Sequence, residues 1–163
     1  LSGNNEFNQN GIKWFLKEVF PVIKKSFPSA ELLVGGSICK VLPSLGKIDG
    51  VTAMGYIDDP AEFYAKADVA INPVFQGTGL KIKTFEAISF DKVTLVHPHS
   101  MAGVFRKEDA PLFASDKPED WVVYLKKIWG HTDAINVIKQ KNKAYLQAMN
   151  EFIIGEYNRF INA

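Results

Sequence analysis

Apolar residues recur every three or four positions near the start of the chain, as they do on the buried face of a helix. The positions on this face are Ile12, Phe15, Leu16, Val19, Val22 and Ile23. Their spacing predicts one amphipathic helix over residues 9–27, which Pro28 is expected to end because proline cannot continue the helical hydrogen bonds.

Short apolar runs follow, each bounded by glycine, proline or polar residues, which is typical of buried strands. The predicted strands lie at residues 31–34, 51–54, 68–73 and 93–96, with a weaker run at 112–114. The short length of every run favours strands that are buried on both faces.

Helix signals separate these strands. Asp59 ahead of Pro60 provides a side-chain cap and a first-turn proline. Further predicted helices span residues 80–90, 118–129 and 132–162. In the first of these, Ile82, Phe85 and either Ile88 or Ser89 are expected to face the core, and in the last Gly155 is the expected kink point.

Apolar strands alternating with helices predict an α/β fold, namely a Rossmann-like three-layer sandwich with a mostly parallel sheet. Residues 1–163 are assigned to one domain, a length that suits a single core. Ligands bind such sheets beyond the carboxyl ends of the strands. A site is therefore expected at the turns after Val34, Met54, Pro73 and Val96.

Charge and cysteine content narrow the function classes. Lysine and arginine number 19 and aspartate and glutamate 18, a balance that argues against bulk binding to nucleic acid or to an anionic membrane. Cys39 is the only cysteine, which excludes an intramolecular disulfide and fits a reduced, cytoplasmic compartment. No apolar run approaches the roughly 18 residues of a membrane span, so membrane association would have to come from another part of the protein.

The first residues, Leu1-Ser2-Gly3, resemble the tail of a strand that runs into a turn, and the sequence does not open with methionine. We therefore expect the chain to have been cut from a longer protein. Targeting signals or a further domain would then lie in the part that was removed.

The segment 73–87 carries the clearest candidate chemistry. Gly77-Thr78-Gly79 leaves a predicted strand and enters a predicted helix, so the backbone can approach a ligand and the first helical N–H groups point at it. Lys81 and Lys83 add positive charge at an already positive helix end, a conflict that a diphosphate would relieve. Glu86 lies one turn beyond Lys83 and can accept hydrogen bonds from both hydroxyls of a ribose.

A second interpretation of this segment stays open. The spacing also fits a surface loop followed by a solvated Lys83–Glu86 pair, and the pattern alone leaves the two interpretations evenly balanced. The sequence contains neither a G-x-x-x-x-G-K-[ST] phosphate loop nor a G-x-G-x-x-G dinucleotide motif. For His97 and His99, which flank Pro98, a loop role is favoured over catalysis. Metal binding is less favoured still because no third ligand is evident.

An ordered set of short motifs resembles the donor-binding half of family 4 glycosyltransferases, which have the GT-B fold of two Rossmann-like domains. The motifs are Asn10-Gly11 with Trp14-Phe15-Leu16, Glu31-Leu32-Leu33-Val34-Gly35-Gly36, Gly55-Tyr56, Tyr64-Ala65-Lys66-Ala67-Asp68-Val69-Ala70-Ile71-Asn72-Pro73, and the stretch from Gly77 to Ala87. They extend over nearly the whole chain. The resemblance implies that the chain is the C-terminal half of such an enzyme.

The resemblance also implies which residues bind the donor. Glu86 matches the glutamate that holds the donor ribose, and the N–H groups of Gly77, Thr78, Gly79 and Leu80 match the turn that holds the diphosphate. The family has another glutamate where this chain has Thr78. Because that glutamate often touches the donor sugar, the departure puts the identity of the sugar in doubt.

Two further pairs of residues that contact the donor are implied, each at the end of another strand. Tyr56 and Ile57 fall where the backbone of the family usually meets the nucleobase. Gly35 and Gly36 form the glycine turn after an earlier strand, on the ligand side of the sheet. All four are expected to contact the donor.

A basic pair that usually precedes the first helix of this family has no counterpart here, where Asn5 and Asn10 occupy the neighbourhood. We expect Lys81 or Lys83 to supply the positive charge instead. Lys83 is preferred because it shares a helix face with Glu86.

We therefore expect a domain that binds a UDP- or GDP-sugar for retaining glycosyl transfer to an unknown acceptor, without a metal cofactor. An N-terminal acceptor domain would lie outside the chain, so the isolated chain is expected to be inactive. Two alternatives stay open, namely a non-catalytic nucleotide-binding module and a GT-B relative that epimerises sugar nucleotides.

Overall fold

The computed structural model describes residues 1–162. Every strand pair recorded in it is parallel. The strands are β1 (Leu32–Gly35), β2 (Val51–Gly55), β3 (Val69–Asn72), β4 (Val93–Val96) and β5 (Leu112–Ala114). Each coincides with a predicted run to within one residue at either end, which confirms the parallel α/β architecture expected from the sequence.

The strands are divided between two sheets, where the sequence led us to expect one. The first sheet pairs β1 with β2, and the second has the order β3–β4–β5. Between β1 and β3 lies a cavity of about 340 Å³, lined by Leu33 and Ile71 among other residues. This gap is the physical reason for the division, since it separates the two central strands beyond hydrogen-bonding reach.

The first predicted helix is a continuous helical segment with a widened central turn. It comprises α1 (Glu6–Trp14), a π-helical turn (Phe15–Val19) and α2 (Phe20–Ser26). The segment begins three residues ahead of the prediction, because the Asn5 side chain accepts a hydrogen bond from the Asn8 N–H at 2.9 Å and caps it. Pro21 explains the widened turn, since it lacks an N–H and its ring would clash with the carbonyl four residues earlier.

The largest part of the core lies between this helical segment, the strands and α5 (Pro118–Ile128). Trp121 is fully buried there, with its ring 5.6 Å from that of Phe15. Its indole N–H donates to the Ser115 carbonyl at 2.9 Å. The one polar atom of the tryptophan side chain is thereby satisfied inside the core.

Two further helices are α3 (Pro60–Ala65) and α6 (Thr132–Ile161). Asp59 caps α3 as predicted, since its carboxylate accepts a hydrogen bond from the Ala61 N–H at 2.7 Å. α6 runs through Gly155 as one uninterrupted helix, so the kink expected there does not break it. No helix in the described part of the chain is long and apolar enough to cross a membrane.

The helix that follows the glycine turn, α4 (Ile82–Ser89), starts two residues later than predicted. Its N-cap residue Lys81 has a non-helical ψ of 85°, so the turn extends further along the chain. Ile82 is 75% exposed, and the prediction that it faces the core is wrong. Ile88 is fully buried as expected, and Thr84 lies on the buried face in place of Ile82.

A buried hydrogen bond ties the start of α4 to the end of β3. The Asn72 side-chain amide donates to the Thr84 hydroxyl oxygen at 2.8 Å, and Asn72 Oδ1 accepts from the Val74 N–H at 3.4 Å. Asn72 and Thr84 are both fully buried, so neither can exchange this bond for one with water. The contact fixes the first turn of α4 relative to the carboxyl end of β3.

Thr84→Val is expected to lower the free energy of unfolding by about 1–3 kcal/mol, because it leaves a buried amide donor without a partner. Thr52→Val, at an exposed position of β2, is the matched control and is expected to change stability by no more than about 0.5 kcal/mol. Urea unfolding of both variants measures the difference. Equal stabilities would show that the Asn72–Thr84 bond does not hold α4 in place.

Candidate functional site

Lys83 lies in the first turn of α4 and lines a small cavity together with Gly35 and Pro73, at the carboxyl ends of β1 and β3. Its Nζ donates hydrogen bonds to the Ser2 hydroxyl at 3.0 Å and to the Asn8 side-chain oxygen. Both partners are neutral, and no carboxylate among the described residues forms a salt bridge with Lys83. Neutral oxygen atoms alone therefore stabilise its charge.

Burial, and next the nearby charge of Lys81, lowers the pKa of Lys83 to about 8. The ammonium group has lost part of its hydration without gaining a counter-ion. A bound anion would provide that counter-ion and raise the pKa again. The electrostatics at Lys83 therefore favour an anionic ligand over a neutral one.

Glu86 lies one turn beyond Lys83 on α4, and no described residue forms a salt bridge with it. Burial raises the pKa of Tyr64, and the charge of Glu86 raises it further. Burial lowers the pKa of the Leu1 amino group, and the charge of Glu86 acts in the opposite direction on that pKa. The solvated Lys83–Glu86 pair of the second interpretation is not formed in this structure. The carboxylate is thus available to accept hydrogen bonds from a ligand.

Lys81 organises the glycine turn from inside. Its Nζ donates to the carbonyl oxygens of Gly77, Thr78 and Gly79, each at 3.2 Å. Gly77 and Gly79 have φ values of 84° and 77°, which glycine adopts without strain. Because the C=O and N–H of one planar trans peptide group point in opposite directions, the N–H groups of residues 78–80 face away from Lys81. The ammonium group of Lys81 is occupied by the protein itself.

His99 provides a second anchor for the glycine turn. Its Nε2 lies 2.7 Å from the Gly77 carbonyl oxygen, so this nitrogen carries the proton and donates. The His99 N–H in turn donates to Nδ1 of His97 at 3.1 Å, and the His97 ring packs edge-on against Trp14. The sequence indicates only a loop role for these histidines, because a contact with a turn 22 residues earlier leaves no local signal.

Packing accounts for the glycines at positions 35 and 36. A Cβ at Gly35 would lie 2.8 Å from the Ile57 side chain, and a Cβ at Gly36, whose φ is 92°, would clash with the Ser2 carbonyl oxygen. Ile57 is therefore part of the wall behind Gly35. Of the two predicted base-pocket residues, Tyr56 has the open side chain, with 84% of its surface exposed.

The site thus brings together one cation without a counter-ion, one carboxylate and an ordered turn with outward N–H groups. Within residues 1–162, no group of three or more His, Cys, Asp and Glu side chains is placed to hold a metal ion. The groups that are present suit a ligand that carries negative charge next to a pair of hydroxyls.

Comparison with known proteins identifies the family. The family model for "Glycosyl transferases group 1" matches residues 1–131, a range that contains the glycine turn, Lys83 and Glu86. The chain belongs to the group 1 glycosyl transferases. No curated protein matches it.

Membership of the group 1 glycosyl transferases supports glycosyl transfer as the general activity. It confirms the resemblance drawn from the motifs, and the parallel strands with their covering helices are consistent with the Rossmann-like C-terminal domain of a GT-B enzyme. The matched range ends directly before α6.

The lowered pKa of Lys83 predicts a pH-dependent stability. Between the folded pKa of about 8 and the ordinary value of 10.5, the unfolded chain binds more protons than the folded one, so the stability rises with pH in this window and is level below it. The free energy of unfolding of the wild type relative to Lys83→Met should therefore rise from pH 8 to 10.5. Urea unfolding at a series of pH values measures it.

The comparison with the variant is needed because Lys92 and the Leu1 amino group also have pKa values lowered by burial. Lys40→Met, at an exposed lysine, controls for the loss of a surface charge. A wild-type-minus-Lys83→Met difference that stays constant from pH 7 to 10.5 would contradict the lowered pKa.

Proposed function

We propose that the chain is the nucleotide-sugar-binding domain of a glycosyltransferase and holds a UDP- or GDP-sugar donor. The observation that carries the proposal is the arrangement on α4 of Lys83, a cation without a counter-ion, and Glu86, a carboxylate without a salt-bridge partner. The two residues are about 4.5 Å apart along the helix axis. A nucleoside diphosphate carries the matching groups in the same order, because its negatively charged phosphates, which suit Lys83, are followed by two ribose hydroxyls, which suit Glu86.

The diphosphate would lie between the glycine turn and the start of α4. The N–H groups of residues 78–80 are turned away from Lys81. In the first turn of α4 the Thr84 N–H donates to the Lys81 carbonyl at 2.9 Å, whereas the N–H groups of Ile82 and Lys83 have no partner within the helix. Together with the Lys83 ammonium, these donors can neutralise a group of two negative charges. Lys81 contributes by holding the turn in this conformation.

The nucleoside would extend from the diphosphate toward Glu86 and Tyr56. A carboxylate accepts hydrogen bonds from two neighbouring hydroxyls, which suits the 2′- and 3′-hydroxyls of ribose. The exposed ring of Tyr56 offers a face on which a base can stack. Uracil and guanine both fit this description.

The same donors suit the chemistry of glycosyl transfer. When the bond between the sugar and the diphosphate breaks, negative charge grows on the departing phosphate oxygen. The Lys83 ammonium and the fixed N–H groups would stabilise that charge without being reorganised. We infer a retaining outcome, and a role for the chain's own groups in place of a metal ion, from the family resemblance.

The acceptor would be bound by a second domain. The end of α6 exposes a group of large apolar side chains that suits a contact of this kind, namely Phe152, Ile153, Ile154, Tyr157, Phe160 and Ile161. Under this proposal, the chain by itself binds the donor and transfers no sugar. The single cysteine, Cys39, fits a cytoplasmic location.

A non-catalytic nucleotide-binding module is the second candidate, and Thr78 favours it. The resemblance implies a glutamate against the donor sugar at this place, and a threonine hydroxyl lacks its charge. Such a module would bind a nucleoside diphosphate as tightly as the corresponding nucleotide sugar. An enzyme that epimerises sugar nucleotides would share the donor site and differ in what it does to the sugar.

Lys83→Met is expected to weaken binding of UDP or GDP about tenfold or more and to leave binding of uridine or guanosine nearly unchanged. The reason is that a charge-assisted hydrogen bond contributes about 1.5–3 kcal/mol. Calorimetric titration measures both affinities, and Lys40→Met is the control for net charge. Equal losses for nucleotide and nucleoside would exclude a contact between Lys83 and the phosphates.

Glu86→Gln is expected to weaken binding of the ribonucleotide and to shrink the preference for UDP or GDP over the 2′-deoxy form. An amide offers one oxygen acceptor where the carboxylate offers two, and it lacks the negative charge. The melting temperature without ligand should change little, because Glu86 forms no salt bridge in the described structure.

Glu62→Gln, at an exposed position of α3, is the matched control. Titration of the three proteins with ribo- and deoxyribonucleoside diphosphates separates the interpretations. If the Glu86→Gln variant keeps the wild-type preference for the ribonucleotide, Glu86 does not hold the ribose.

A further inference from the structure

His99 lies in a short 3-10 turn (Pro98–Met101) that follows β4. Because β3 and β4 are parallel, this turn leaves the sheet at the same edge as the glycine turn that follows β3. The backbone of His99 is held there, since its N–H donates to His97 Nδ1 at 3.1 Å. The fully buried hydroxyl of Ser100 donates to the Val74 carbonyl at 2.7 Å. These contacts tie the His99 turn to the segment that leads into the glycine turn.

The His99 imidazole acts on one peptide group of the glycine turn. Its Nε2 donates to the Gly77 carbonyl oxygen at 2.7 Å, whereas Lys81 Nζ lies 3.2 Å from each of the three carbonyl oxygens that it meets. Lys81 thus divides its donors among three peptide groups. The hydrogen bond from His99 is shorter and is confined to the peptide group that joins Gly77 to Thr78.

This peptide group needs an anchor, because Gly77 gives it freedom to rotate. Gly77 has a φ of 84°, and glycine adopts many other backbone angles at little cost. A donor on the carbonyl oxygen fixes the direction of the C=O group. In a planar trans peptide the N–H group of Thr78 then points the opposite way, away from His99. Thr78 is exposed, so this N–H group is open to a ligand.

α1 holds the glycine turn from another side without fixing this direction. A Cβ at Gly77 would lie 2.8 Å from the Phe7 ring, and the Asn10 side-chain amide donates to the Gln76 side-chain oxygen at 2.9 Å. Both contacts determine where residues 76 and 77 lie. Neither involves the Gly77 carbonyl oxygen, so the orientation of the next N–H group depends on His99 and Lys81.

The hydrogen bond from His99 also changes the strength of the Thr78 N–H group as a donor. Hydrogen bonds that follow one another through a peptide group polarise each other, so a bond accepted by the C=O strengthens a bond donated by the N–H. The Thr78 N–H is one of the groups proposed above to bind the diphosphate. His99 therefore both directs this group and makes it a better donor.

We infer that His99 is a positioning residue for the diphosphate of the donor. It acts through the Gly77 carbonyl oxygen, sets the direction and the donor strength of the Thr78 N–H, and does not itself touch the ligand. The inference rests on the proposed function, because it requires an anion at the glycine turn. It gives a role in donor affinity to a histidine for which the sequence indicates only a place in a loop.

The test compares His99→Gln with His99→Asn by calorimetric titration with UDP, GDP and the two nucleosides. The amide nitrogen of glutamine is as many bonds from Cβ as the histidine Nε2, so it can donate to the Gly77 carbonyl oxygen. The amide nitrogen of asparagine is one bond closer and corresponds to Nδ1. His99→Asn is expected to weaken UDP or GDP binding about three- to tenfold, the effect of one hydrogen bond, and His99→Gln by no more than about twofold.

Nucleoside affinity should stay unchanged in both variants, because the contact concerns the diphosphate alone. His131→Asn, at an exposed histidine, is the matched control and should bind as the wild type does. Equal affinities of His99→Asn and the wild type, equal losses in the two His99 variants, or equal losses for nucleotide and nucleoside would each overturn the inference. A wild type that binds neither UDP nor GDP would overturn the proposed function and this inference with it.

Nuclear magnetic resonance tests the contact without a ligand. The neutral imidazole of His99 should carry its proton on Nε2, and the Thr78 amide resonance should shift in His99→Asn and stay near its wild-type position in His99→Gln. A proton on Nδ1 of His99 would overturn the inference even where UDP binds to the wild type. Failure of the inference is thereby distinguished from failure of the proposed donor site.

Discussion

The hydrogen bond between the buried side chains of Asn72 and Thr84 joins the two parts of the fold on which the candidate site depends. Asn72 ends β3, and Thr84 lies in the first turn of α4 between Lys83 and Glu86. With Thr84 turned into the core, the helical geometry places its neighbours at the rim of the sheet. The positions of the cation and the carboxylate therefore follow from one polar contact inside an apolar core.

Lys81 and Lys83 are two residues apart, but their ammonium groups have different surroundings. Lys81 is surrounded by three carbonyl oxygens of the turn, whereas Lys83 meets two neutral side chains and has a pKa lowered by burial. The first arrangement shapes the turn and exposes its N–H groups, and the second leaves a charge that an anion can satisfy. The anion affinity is thus local, which agrees with a chain whose net charge is only +1.

The sequence predicts the strands and the glycine turn well, because each rests on a local pattern of apolar residues and glycine. It fails where distant parts of the chain decide. The exposure of Ile82 follows from the burial of Thr84, and the partners of Lys83 lie 75 and 81 residues away in the sequence. The spacing of apolar residues also does not distinguish one sheet from two, because the gap between β1 and β3 depends on how distant parts of the chain pack. The proposed donor-binding roles of Gly35, Gly36, Tyr56, Ile57 and Glu86 stay predictions.

Ser2 connects the sheet to the candidate site. Its backbone pairs with the carboxyl end of β1, while its hydroxyl accepts a hydrogen bond from Lys83. Any shift of Ser2 along β1 would move an oxygen atom that helps to stabilise the Lys83 charge. The Ser2 carbonyl fits in its place only because position 36 is a glycine, since a Cβ there would clash with the carbonyl oxygen. A charged group that is stabilised by a backbone-anchored hydroxyl keeps its place before any ligand arrives, and such preorganisation lowers the entropic cost of binding an anion.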